Sequence, residues 1–456
     1  MIRSGRRPEA SGTVRARGAR RGAGRVGASL AALLLLGGCG ALSGWSAKRG
    51  ASPYPQETSG TPPGPPQPLD RAATGLADAL LARAGAAQQP GSGRRLALVV
   101  DPFVDRSTGD ETAATRAAVA RITEHVRARY PSVELRPLTA AGVADMPTVL
   151  LGSISGVTGT GAAAPADGQP RAYRMRAVLA DPRTGRVLDA ETALVRAEDA
   201  GTTPAPFFRD APGWLPDPAV AAYLRTVGSR PGAAVDPIYA QGLTVGALVA
   251  DGMVAYEAGR YRDALERYAE AQRLPAGDQM RVHNGLYLST WALGRRREAE
   301  EAFARVVDFG LRQERLAVKF LFRPGSTAFV PDPAVSAPYG MWIRQIAAQT
   351  HERSACLLLT GHASPTGTAA VNDRLSRGRA EYLRARLVAQ RARLRERTRA
   401  AGVGAREPLV GTGADNASDA LDRRVEFAPL LCANLDAAAD AVNSRAGSGA
   451  PGRVPL

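Results

Sequence analysis

The chain has little histidine, cysteine, lysine or aromatic side chain, and each shortage closes off a class of function. Its four histidines, His125, His283, His351 and His362, form no H-E-x-x-H, and its three cysteines form no closely spaced pair. A metal site of recognisable spacing is therefore not encoded. No G-x-x-x-x-G-K-[ST] occurs. The single G-x-G-x-x-G, Gly22 to Gly27, sits in a basic leader with no strand before it, so it lacks the strand-to-helix setting that such a loop needs to cradle phosphate. With no nucleophile, base or metal set in view, the expectation is a protein that is not an enzyme and carries no cofactor. Arginine, alanine, glycine and proline abound while lysine is scarce, a bias of GC-rich coding, so the formal charge of +16 is not read as nucleic-acid binding.

What is present starts at the N-terminus. Eight arginines precede the apolar run ASLAALLLL, which ends at Leu36; this is the layout of an export signal. The run is far shorter than the roughly 20 residues of a membrane-spanning helix. LGGC follows at 36–39 and resembles the lipobox of bacterial lipoproteins, in which the chain is cut before the cysteine and that thiol is acylated. The resemblance implies a signal peptide at 1–38, acylation of Cys39 and, with Gly40 next rather than Asp, an outer-membrane anchor facing the periplasm. The alternative is an ordinary secretory signal with an accidental cysteine. Losing residues 1–38 removes eight arginines and one glutamate, leaving a formal charge of +9. Cys356 and Cys432 then remain in an oxidising compartment, where a disulfide is the natural pairing and two free buried thiols the alternative.

Residues 39–93 are rich in Gly, Ser, Pro and Ala and read as a tether, interrupted at most by a helix around 76–84. From Leu96 the pattern becomes regular. LALVVDPFVD, VELRPL, TVLLGSIS, AYRMRAVLAD and RVLDAETALV read as strands, the last two as a hairpin about DPRTGR. Val119, Ile122 and Val126 share one face of a helix. These make a small α/β domain at 94–200, in which Asp101, Asp105, Asp110 and Glu111 are expected in a solvated loop.

A repeat follows at 235–312. Tyr256, Gly259, Ala264 and Tyr268 correspond to Trp291, Gly294, Ala299 and Phe303, each offset by 35. Small residues where helices approach and aromatics between them resemble the tetratricopeptide repeat, which implies protein contact or spacing.

Residues 316–432 show a β-α-β-α-β-β order, so the chain as a whole is expected to be α/β (α+β), with a disordered tail at 433–456. Within this stretch G-H-A-S-x-x-G, N-x-x-L-S-x-x-R-A and D-R-R-V-E-F resemble the OmpA-like peptidoglycan-binding domain. Asn372 and Arg379 are seven residues apart, two helical turns, and so project from one face near the turn at Gly361–Gly367. The resemblance implies that Arg379 takes the carboxylate of the diaminopimelate stem peptide and that Asn372 bonds a peptide group beside it. An Asp of the family meets the diaminopimelate ammonium, but here Ser364 fills that position. Arg323, after the first strand, adds positive charge near the same pocket. Three accounts stay open: weak wall binding helped by avidity, replacement of the acid by Asp415 or Asp419, or a site redirected to another anion. His362 reads as a turn residue. Of Arg423 and Arg424, which face opposite sides of a strand, one is expected to pair with a carboxylate.

The expectation is an outer-membrane lipoprotein that binds peptidoglycan non-covalently. The alternative is an accessory protein of an envelope assembly or secretion complex, with protein partners on the helical repeats and the C-terminal domain as a secondary anchor.

Overall fold

The computed structural model describes residues 54, 64–87, 95–158, 170–323, 325–410 and 422–447, all within one body spanning residues 46–455. Cys39, Asp415 and Asp419 lie outside the described residues. The first elements are α1 (Leu69–Ala87), β1 (Leu96–Val100), β2 (Val104–Asp105), α2 (Ala113–Arg129), β3 (Val133–Arg136), β4 (Thr148–Val157), β5 (Ala172–Asp181) and β6 (Arg186–Arg196). Their strands form one sheet in the order β3-β1-β4-β5-β6, with β2 on β4. β1 runs parallel to β3 and β4, whereas β4, β5 and β6 are antiparallel neighbours.

Both faces of this sheet are apolar, because neighbouring strand positions point to opposite sides and both carry aliphatics. Leu98, Leu150 and Met175 pack with α1 and α2 on one face. Val99, Val149 and Val178 pack on the other against α4 (Pro218–Gly228) and the start of α5 (Pro237–Glu257), which follow α3 (Pro206–Asp210) and the two-residue strand β7 (Gly213–Trp214). Two expectations change here. Leu69–Ala87 is no tether: Ala72, Leu76 and Leu80 are at most 2% exposed against the sheet. Nor does the α/β unit stop at 200, because α4 supplies its second face.

Asp217 and Asp236 cap α4 and α5 by accepting from Ala219 N and Ile238 N, each with proline at the first helical position. Asp217 also accepts from Met280 N at 2.7 Å, so one carboxylate fixes the start of α4 and the start of the helix that begins at Met280. α5 has 21 residues and is long and apolar enough to cross a membrane by length and composition. In this body its sides serve two cores: Tyr239, Leu243 and Ala247 face the first sheet, and Val245, Leu248 and Met253 face the helices that follow.

Those helices are α6 (Tyr261–Arg273), α7 (Met280–Ala292) and α8 (Arg296–Arg312). The 35-residue offset has a structural counterpart. Gly259 and Gly294 turn the chain at φ +74° and +73°, which a β-carbon disfavours. Ala264 and Ala299, then Tyr268 and Phe303, are all fully buried.

The chain ends in a second sheet. β8 (Leu316–Val318), α9 (Pro333–Ser336), α10 (Tyr339–Glu352), β9 (Cys356–Gly361), α11 (Ala369–Gln390), α12 (Leu394–Arg397), β10 (Thr398–Gly402), β11 (Val425–Leu430) and α13 (Leu435–Gly447) follow in order. The sheet order is β10-β9-β11-β8-β7, with β10 parallel to β9 and β11 antiparallel to β9 and β8. Trp342 and Ile346 of α10 are buried, and Trp342 Nε1 donates to Tyr287 of α7 at 2.9 Å. Residues 435–447 are not a disordered tail. Leu435 and Ala439 of α13 close the other face of the sheet over Leu358 and Ala401, and Cys432 is bonded to Cys356.

Candidate functional site

Close packing of α11 on the ends of β9 and β10 sets the geometry of the candidate site. A β-carbon at Gly361 would lie 1.9 Å from Ser376 O, and one at Gly402 would lie 2.4 Å from Arg377 N. Only glycine admits the helix at that distance. Ser376, fully buried, closes the joint: its hydroxyl donates to Asp373 O at 3.0 Å and accepts from Gly404 N at 2.9 Å. The Ser of the N-x-x-L-S motif therefore ties the helix to the sheet, a role that spacing alone did not disclose.

The turn between β9 and α11 is pinned by backbone bonds from His362 N to Arg424 O, 3.0 Å, and from Ala363 N to Gly404 O, 2.8 Å. Thr368 caps α11 by accepting from Val371 N. This places Gly367 beside Asn372, whose Oδ1 would sit 3.9 Å from a β-carbon there. The Ser364 hydroxyl lies 3.3 Å from that of Thr366. Arg379 Nε donates to Ser326 O at 3.2 Å, and its guanidinium lies 5.1 Å from the centre of the Phe322 ring. Phe322, which forms a β-bridge with Phe329, and Ser326 thus cover this side of α11. Arg323, next to Phe322, is exposed, and its backbone carbonyl accepts from Ser326 N at 3.1 Å. Asn372 is therefore grouped with the turn, and Arg379 with the residues beside Arg323. Ser364, Asn372 and Arg379 are each 5% exposed.

Below the turn lies an ionic cluster. Arg424 Nε donates to Glu426 at 2.8 Å and Arg315 donates to the same oxygen at 3.0 Å. Burial alone would raise Glu426, but Arg424 and Arg315 outweigh it and hold the carboxyl far below its usual range. His362 Nε2 is 3.7 Å from Glu426. Burial, reinforced by Arg424, drives that imidazole well below its usual value, so it is neutral at pH 7. Of the adjacent pair, Arg424 makes this carboxylate contact.

The acidic cluster after β1 is not a solvated loop. Asp110 and Glu111 are each 8% exposed. Asp101 accepts from Tyr239 OH at 2.7 Å and Glu111 from Arg116 Nε at 2.9 Å, while Arg116 also holds Glu257 of α5. Burial pushes Asp101 up to about 6 and raises Asp110, and burial lowers Lys319. α4, α5 and α7 cover the loop, which a reading of its own residues could not show.

Parts of the chain are similar to several solved structures. The peptidoglycan-associated lipoprotein from Burkholderia pseudomallei is 24% identical, over 25% of this chain and 89% of that one, at a TM-score of 0.21. The cell wall anchor of the T6SS from Pseudomonas aeruginosa is 24% identical, over 25% and 80%, at 0.22. The periplasmic domain of Helicobacter pylori MotB is 14% identical, over 29% and 86%, at 0.22. No protein-family model and no curated protein sequence matches the chain.

Proposed function

We propose that the chain is an envelope lipoprotein whose C-terminal domain holds peptidoglycan non-covalently. The observation that carries this reading is the meeting of three sequence motifs at one end of one sheet. The glycine turn, the Asn372–Arg379 helix face and the D-R-R-V-E-F strand are joined through His362 N to Arg424 O and through Gly361 against Ser376. Arg379, positioned by Ser326 O and Phe322, receives the carboxylate of the diaminopimelate side chain as a planar fork, and Asn372 bonds the adjoining peptide. Ser364 offers a hydroxyl to the ammonium where an acid would offer charge, which makes this a weak site that many equivalent wall positions and a lipid anchor at Cys39 reinforce. All three residues are nearly covered, so a stem peptide reaches them only as the cover, including Phe322 and Ser326, gives way. Arg323 on that cover draws in the anionic end of the ligand.

Sedimentation with purified sacculi tests the reading: wild type is expected to pellet and Arg379→Ala to stay in solution. Equal pelleting of the two would remove Arg379 from the site.

A second reading, a partner-binding accessory protein, is favoured by Ile238 and Val254 of α5, which are 47% and 63% exposed. A stoichiometric protein that co-purifies after wall digestion and is lost in Val254→Asp supports it.

A further inference from the structure

Several arginines on the helical surfaces of this protein are neutralised locally. Arg260 pairs with Asp263, Arg267 with Glu270, Arg295 with Glu298 and Arg312 with Asp308. The end of α11 and the α12 turn concentrate arginines that lack such partners. Between residues 382 and 400 the sequence carries seven arginines and one acid, Glu396. Among the described residues, Arg386, Arg391, Arg393, Arg395 and Arg397 make no ion pair with a carboxylate, and the first four are exposed. The last turn of a helix favours a basic residue or two, but five exceed that need. The crowding is felt locally: Arg384 is held below its usual value first by burial and then by Arg399 and Arg395.

Strand register places this cluster. Thr398 pairs with Leu357 and Leu430 with Cys356 at one end of the sheet, whereas Gly402 and Val425 pair with Gly361 at the other. The arginines therefore lie at the end opposite the candidate site, about 27 Å along α11 from Asn372. At that same end, following β11, Leu431 is 65% exposed; β11 lies about two strand spacings, roughly 10 Å, from β10, the strand that the arginines lead into.

We infer that this end of the C-terminal domain is a docking surface for an anionic lipid bilayer. Phosphate headgroups meet the exposed Arg391, Arg393 and Arg395, with the half-buried Arg397 beside them, and Leu431 enters the headgroup boundary. A soluble polyanion would match the charge but leaves the exposed leucine without a role. This surface is separate from the wall site at Arg379 and acts whether or not that site holds peptidoglycan.

The test uses the full chain carrying Cys39→Ser, so that no acyl chain contributes. Co-sedimentation is compared with vesicles of phosphatidylcholine alone and of phosphatidylcholine with phosphatidylglycerol. The leader's eight arginines themselves favour anionic vesicles but are the same in every variant, so the readout is the change in the ratio of the two affinities from parent to variant. A preference for anionic vesicles that weakens with salt is expected. Replacing the four arginines by glutamine is expected to reduce it about tenfold or more, while replacement by lysine preserves it. Arg379→Ala should leave the ratio unchanged while losing sacculus binding, which separates failure here from failure of the wall site. No anionic preference in the parent chain, an undiminished preference in the glutamine variant, or equal loss in the lysine variant would overturn the inference. So would tight binding of polyphosphate without binding to anionic vesicles.

Discussion

Replacing Glu426 by glutamine keeps the shape of the side chain and removes the charge that Arg424 and Arg315 share. Glu426 is 5% exposed and Arg424 is 1% exposed, with both guanidiniums bonding one carboxylate oxygen at 2.8 and 3.0 Å. Breaking a buried pair by removing one partner costs about 3–5 kcal/mol, because the remaining charge is left buried and uncompensated. The pH dependence gives a second, sharper signature. A carboxyl held below its ordinary value of 4.5 in the folded protein contributes stability that is full above about pH 4.5 and drains away as pH falls toward the folded value. Chemical denaturation of the wild type at pH 7 and at pH 3.5 should therefore show a decline that Glu426→Gln lacks from this group, with the variant already weakened at pH 7. Arg424 also carries the carbonyl that holds His362 N, so sacculus binding by the variant should fall with its stability. A variant as stable as wild type at pH 7, with the same acid-induced decline, would refute the cluster as a fastening for the turn.

Gly361→Ala forces a β-carbon to 1.9 Å from Ser376 O; a loss of about 3 kcal/mol or more and weakened sacculus binding should appear together in melting and pelleting assays. Ser364→Asp is expected to tighten sacculus binding by about tenfold through a charged partner for the ammonium, and unchanged pelleting would assign the acid's role elsewhere. Asp101, raised to about 6 by burial, costs stability as pH rises through that value, so Asp101→Asn should raise the melting temperature at pH 8 and leave it nearly unchanged at pH 4. Cys432→Ser opens a loop of sequence separation 76, worth roughly 4 kcal/mol in the chain-entropy treatment; proteolysis should then remove α13 first.

Elements with a strong local pattern were readable from sequence. AYRMRAVLAD coincides with β5, and RVLDAETALV with all but the last residue of β6, because strands of 10 and 11 residues flank an unmistakable turn. The C-terminal β-α-β-α-β-β order is present, and its third strand, Thr398–Gly402, is the one with the weakest sequence signal. Thr-Arg-Ala-Ala-Gly carries little apolar signal, and it is a strand because α11 and α13 cover it from both faces. β7 has two residues and no periodicity at all; only β8 beside it makes it a strand. At the site, the spacing of Asn372 and Arg379 gave the helix face. It could not reveal that Arg379 bonds Ser326 O and lies over the Phe322 ring, because those residues lie over 50 positions away.

The shortest strand changes how the molecule answers a pull. Gly213 exchanges hydrogen bonds with Asn284 of α7, Trp214 Nε1 donates to Thr108 O beside the first sheet at 2.9 Å, and both residues pair with β8. A linker between domains would stretch before anything else did. Here tension applied between the first sheet and the C-terminal sheet crosses a rivet that joins the first sheet, the helices and the second sheet at one point. The protein should behave as a stiff strut whose failure begins with the loss of a two-residue strand, rather than as a bead on a string.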